Sequence, residues 1–266
     1  MTKLLANYEE HRDLFRALLM DDCHHRILLF RGESGVGKTA LLNTCIAEAG
    51  QRAKQIQCVP IQMRESAVSV AEVFYRLGNR VGWSAMPRFV AEVAAFQKTP
   101  TVHIEKNRMV GQNQISVALH AENLADRHHR QAALTDACFQ DVRALPHPLL
   151  LVMDTYEKAN NDVRQWLDGP FLARVAQTPQ VRTLVAGQEI PEPHNIEWGF
   201  CCQAQDLYGV REAQHWLPIV VAMDRVIEFE ELDPHSWMAG ICYALKGRPK
   251  DIMQVIENLP RRRGSA

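Results

Sequence analysis

One stretch of the chain carries clear chemistry: Gly32-Glu33-Ser34-Gly35-Val36-Gly37-Lys38-Thr39. It fits G-x-x-x-x-G-K-[ST], and each fixed residue type has a physical reason to be there. Glycines let the main chain curl into a nest whose N–H groups point inward at phosphate oxygens. The helix that follows aims its positive end at the same anion, with Ala40 in its first turn. Lys38 is a point charge that reaches β and γ phosphates, and the Thr39 hydroxyl can ligate Mg²⁺. The plain alternative is a glycine-rich surface turn with an exposed lysine.

A second candidate lies far along the chain. Leu149-Leu150-Leu151-Val152-Met153-Asp154 is an apolar run closing on a carboxylate. At the end of a buried strand, Asp154 would hold a water of the Mg²⁺ shell; alternatively it is an aspartate at a turn. Hydrolysis of a nucleotide also needs a group that orients and deprotonates water. The position after the aspartate is Thr155, so the first available carboxylate is Glu157. A tight D-x-x-E loop can bring Glu157 to that water. Otherwise Glu157 opens the next helix as a favourable N-terminal charge.

These residues need rigid elements to hold them. Arg26 to Phe30 reads as a buried strand ahead of the glycine loop, and Thr39 to Ala49 as the helix after it, with Gly50 as its C-cap. Gln55 to Ile61 and Val181 to Ala186 read as further strands, and Cys201 to Leu207 as a possible one. Helical spacing marks Tyr8–Met20, Val68–Val81, a long polar segment from about Glu122 to Leu145, and Val163–Val175 broken near Gly169-Pro170. Thr101 to Leu119 reads as strand, turn, strand, with Gly111-Gln112-Asn113 as the turn. Buried strands alternating with helices predict an α/β fold, a parallel sheet covered by helices on both faces. After residue 207 the pattern turns helical, through Trp237–Leu245 and Ile252–Leu259. The expected division is a core over 1–207, with an insert at about 83–145, and a small C-terminal helical lid over 208–266.

Composition bounds the partners. Thirty basic against 31 acidic residues give a formal net charge of -1, which disfavours a broadly basic nucleic-acid binder. Nucleic acid remains possible through local patches, at Arg127–Arg130 and Arg261-Arg262-Arg263. The seven cysteines are odd in number and show no C-x-x-C spacing, which fits a reduced cytoplasmic protein. No apolar run is long enough for a membrane span, and no leader is evident.

The order of these motifs resembles the STAND class of P-loop NTPases, the group with NACHT and NB-ARC modules and close kin of the AAA+ ATPases. The likeness rests on Gly32–Thr39, on the strand ending in Asp154-Thr155-Tyr156-Glu157, on Val181–Gly187 as the family's sensor strand, and on Leu245-Lys246-Gly247-Arg248-Pro249 as its G-x-P motif. It implies a P-loop NTPase fold binding ATP or ADP with Mg²⁺ between core and lid, with Tyr8–His11 and Pro249 near the base. It implies a switch whose output is self-association or contact with a separately encoded effector, with an arginine finger supplied to a neighbouring copy by Arg127, Arg130 or Arg182. Two departures stand out: Gln188 occupies the position where the family often carries an arginine, and no effector domain follows the lid. Two other readings are an AAA+-type regulator of DNA transactions and a nucleotide-binding scaffold without turnover.

Overall fold

Five strands, β1 (Ile27–Gly32), β2 (Gln57–Gln62), β3 (Leu149–Asp154), β4 (Val181–Gly187) and β5 (Cys202–Leu207), pair in parallel in the order β2-β3-β4-β1-β5. The computed structural model describes residues 5–51, 56–64, 68–97, 110–228 and 232–261. Successive side chains of a strand face opposite ways. Ile27 and Leu29 of β1 join one core, Leu28 and Phe30 the other; Leu151 and Leu150 of β3 divide the same way. Both faces are dry, so the central strands read as unbroken apolar runs.

Helices α1 (Glu9–Leu18) and α2 (Lys38–Gly50) cover one face. The other face carries α3 (Val70–Val81), α4 (Pro87–Phe96), α5 (Gln112–Leu119), α6 (Leu124–Val142), α7 (Asn161–Trp166) and α8 (Leu172–Ala176). Then α9 (Leu217–Ala222), α10 (Pro234–Ala244) and α11 (Pro249–Glu257) return to the first face. Local chemistry sets several starts. Ser69 accepts from the Glu72 N–H to cap α3, Asn123 from Asp126 to cap α6, and Asn160 from Val163 to cap α7. Gly169 and Pro170 interrupt the α7–α8 run with a π-type turn over Leu167–Phe171. Beyond β5 the regular elements among the described residues are helices, apart from one bridge between Arg225 and Arg261.

The expected hairpin is corrected here. Its first strand begins at residue 101 and lies, through 109, outside the described residues, and its second is helix α5. Gly111 sits at the helix start, where its N–H donates to the Gln114 side chain at 3.0 Å, half of a capping box. Ile115, Ala118 and Leu119 share one buried face at i, i+3, i+4. The C-cap of α2 also shifts: Gly50 is its last residue, and Gln51 follows with right-handed geometry. Among the described residues no helix is long and apolar enough to cross a membrane. All seven cysteines are free thiols.

Candidate functional site

Ligands of open parallel sheets bind beyond the strands' carboxyl ends, where the following helices part to opposite faces. Here that place is between β1 and β4. The chain leaves β1 for α2 on one face, and after β4 it supplies Trp198 and Cys201 to the other core. A cavity of about 640 Å³ opens there.

The glycine loop forms one wall. Gly35 and Gly37 adopt φ of +88° and +97°, the left-handed region that side chains avoid. Gly37 is the N-cap of α2, so the helix's free N–H groups face the cavity. Val36 turns inward instead and is buried, and its carbonyl accepts from the Tyr8 hydroxyl. A Cβ on Gly37 would lie in contact with the Tyr8 ring at 3.4 Å, so this tyrosine packs directly against the loop. Gly32 abuts Leu207 of β5 too closely for any side chain. Lys38 Nζ donates to the carbonyls of Gly32 at 2.6 Å and Glu33 at 2.8 Å. Burial pulls its pKa below the ordinary lysine range, against the opposing charges of Glu157 and Asp154.

The facing wall comes from β3 and β4. The Thr39 hydroxyl donates to Asp154 Oδ2 at 2.6 Å. Asp154 is buried, and its Oδ1 has no hydrogen-bond partner in the protein. With its amide turned to satisfy its neighbours, Gln62 Nε2 also reaches Asp154 Oδ2 at 3.2 Å. A buried carboxylate oxygen without a donor, on a group that also holds a threonine hydroxyl, fits a hard cation such as Mg²⁺. Thr155 takes a left-handed φ of +63°, and the turn it makes brings Glu157 back to the cavity wall. Glu157 Oε2 accepts from the Gln188 N–H at 2.9 Å, and Oε1 from the Gln188 amide at 3.1 Å. Burial alone would raise the Glu157 pKa, but the two Gln188 donors and the Lys38 charge outweigh it and hold the carboxyl below the ordinary range.

The C-terminal helices close the cavity. Lys246 and Gly247 end α10 in left-handed geometry, with the Gly247 N–H returning to the Cys242 carbonyl at 2.8 Å. Pro249 then opens α11, where a missing N–H costs nothing. Two bonds join this turn to the glycine loop: Lys250 N–H to the Gly35 carbonyl at 3.0 Å, and Arg248 Nη2 to the Ser34 carbonyl at 3.0 Å.

The cavity thus gathers Ser34, Gly35, Gly37, Lys38, Thr39, Ala40, Asp154, Glu157, Gln188 and Pro249, while Gly32, Glu33 and Val36 do not line it. Tyr8 lines it as well, and His11 does not. The candidate finger arginines are expected to serve a neighbouring copy's site, and none of them lines this chain's own cavity. Arg182 is buried on β4, donating to the Leu18, Pro179 and Val181 carbonyls, which removes it from that role. Arg130 donates to the Ala118 and His120 carbonyls and lies over the Phe96 ring. Residues not singled out from sequence also line the cavity: Arg64 at the phosphate end, and Leu5, Ala6, Trp216, Met223 and Met253 as apolar wall. The signal for Arg64 was its place just past the carboxyl end of a parallel strand.

Comparison with solved structures bears on the fold. The structure of the Aeropyrum pernix ORC1 protein in complex with DNA superposes with a TM-score of 0.50 at 13% identity, covering 96% of this chain and 60% of that one. This is an α/β P-loop NTPase fold. A chain of Drosophila ORC bound to AT-rich DNA and Cdc6 matches more distantly, at TM-score 0.42 and 12% identity, over 75% of this chain and 56% of that chain. The P-loop chain described here thus spans under two thirds of the length of both. No protein-family model matches the chain, and no curated protein does.

Proposed function

We propose that this chain binds ATP with Mg²⁺ in the cavity and hydrolyses it slowly, as a cytoplasmic nucleotide-controlled switch of the STAND or AAA+ kind. The observation that carries the reading is the meeting of Lys38, Thr39, Asp154 and Glu157, from separate strand ends, around one cavity. The loop N–H groups and Lys38 hold the β and γ phosphates. Thr39 and Asp154 hold Mg²⁺, which when bound withdraws charge from the phosphate oxygens. Glu157, fixed at both oxygens by Gln188, orients the attacking water and accepts its proton. Tyr8, Pro249 and the apolar wall enclose the base. Residues 1–207 act as core and 208–266 as lid. Because the lid is hydrogen-bonded to the loop itself, a ligand that moves Ser34 or Gly35 acts on the lid directly. Its output is self-association or binding of a separately encoded effector.

The test is phosphate release from ATP with Mg²⁺ together with particle mass by light scattering. Turnover in the wild type, its loss in Glu157→Gln and an ATP-dependent rise in mass support the reading. Binding without turnover in every variant makes the chain a scaffold.

A second reading is an ATPase acting on DNA. What favours it is that the Aeropyrum protein sharing the fold is held with DNA in its structure. It requires DNA affinity that falls steeply with salt.

A further inference from the structure

We propose that Arg64 reads the terminal phosphate of the bound nucleotide from within the same chain. This rests on the nucleotide-binding reading above and adds a residue that reading does not use.

The sheet delivers Arg64 to the right edge. Gln62 of β2 lies opposite Asp154 of β3, and the Met63 N–H donates to the Asp154 carbonyl at 2.9 Å. Two residues past Gln62, Arg64 therefore emerges beside the Asp154–Glu157 turn. It lines the cavity with Lys38, Asp154, Glu157 and Gln188.

The Arg64 guanidinium is also uncommitted. Among the described residues it makes no hydrogen bond and no ion pair. Arg248, by contrast, is bound to the Ser34 carbonyl and lies 3.3 Å from Asp251. Lys38 and Arg64 line one cavity and together can take an anion there beyond the fixed carboxylates of Asp154 and Glu157. A triphosphate supplies that anion. A guanidinium donates two parallel hydrogen bonds to a terminal phosphate, which an ammonium does not. Gln188, on the same cavity wall, is neutral, so Arg64 adds a charge that this position does not.

In hydrolysis, the water oxygen bonds to the γ phosphorus. The bond to the β–γ bridging oxygen breaks, and its electron pair leaves on ADP. The water proton passes to Glu157. Arg64 moves no proton; it offsets charge on the γ oxygens, so it distinguishes ATP from ADP.

The test is titration of the full chain with ATP and with ADP, both with Mg²⁺, in the wild type, Arg64→Ala and Arg64→Lys, with turnover measured in parallel. Arg64→Ala is expected to weaken ATP about tenfold or more while leaving ADP within about twofold, and to slow turnover by about a hundredfold or more. Arg64→Lys restores part of the ATP preference and little of the turnover. The lysine variant also decides the matter if the alanine variant does not fold. If the wild type binds both nucleotides and the variants change neither their ratio nor turnover, Arg64 has no such role and the nucleotide reading stands. If the wild type binds neither, that reading fails and the role of Arg64 falls with it.

Discussion

Glu157 and Gln188 hold each other at two points: the main-chain N–H of Gln188 reaches one carboxylate oxygen at 2.9 Å, and its side-chain amide reaches the other at 3.1 Å. The pair joins the loop after β3 to the loop after β4. Each carboxylate oxygen keeps a free lone pair, so the clamp orients Glu157 without consuming it. Glu157→Gln is expected to keep ATP affinity and lose about 10²–10⁴-fold in turnover. Gln188→Ala removes only the side-chain donor and should cost about tenfold to a hundredfold. Steady-state phosphate release checks both, and an unchanged rate in Glu157→Gln removes the glutamate from the water-activating role.

Gly187 is the residue that allows the clamp. A Cβ there would run into the Glu189 carbonyl and come within 2.8 Å of Glu157 Oε2. Backbone does not yield as a flexible side chain does. Gly187→Ala should therefore lower stability by about 1–3 kcal/mol and depress turnover together. A denaturant melt beside the rate assay tests this; a variant normal in both shows that the loop has slack.

Arg164 ties the same two loops from below. It donates to the Glu157 carbonyl, to the Ala159 carbonyl at 3.1 Å and to Glu189 at 2.8 Å, and it lies over the Tyr156 ring. Arg164→Ala leaves part-buried carbonyls without donors, at a cost of about 1–3 kcal/mol. Its turnover should fall while its affinity for ADP stays, because none of the phosphate-loop contacts passes through Arg164. Equal loss of ADP binding in a folded variant contradicts that division.

Acid should weaken the clamp. Burial pushes the Glu157 pKa up, but Gln188 and Lys38 more than reverse it, so the folded value lies below the unfolded one. A depressed carboxyl gives stability that is complete above its unfolded value of 4.5 and is lost as pH falls through the folded value. The Tm difference between the wild type and Glu157→Gln should be steady above about pH 6 and shrink once the pH drops below about 4.5. A difference that grows on acidification has the wrong sign for this account.

The sequence was most legible where one residue type has one physical use. Gly35 and Gly37 are glycines because φ there is positive, and the apolar run into Asp154 is a strand covered on both faces. Gly169-Pro170 announced the break between α7 and α8, because Gly169 leaves helical geometry and Pro170 brings no N–H to the helix ladder. Gly111-Gln112-Asn113 misled because a glycine before polar residues suits both a hairpin turn and a helix start. The bond from the Gly111 N–H to Gln114 and the buried face of Ile115, Ala118 and Leu119 decided for the helix. Arg182 looked like a free cation because a sequence does not tell which strand residues point into a dry core. Arg64 and the apolar wall of Trp216, Met223 and Met253 meet the phosphate loop only through the sheet order and the return of the last helices, which no local pattern records.

The most direct test of the central claim is an equilibrium titration of the purified chain with ATP, with and without Mg²⁺, beside Lys38→Ala. The account predicts saturable binding that Mg²⁺ strengthens and that Lys38→Ala abolishes while the variant keeps its fold. Absence of ATP binding in the wild type, or equal binding in Lys38→Ala, contradicts it.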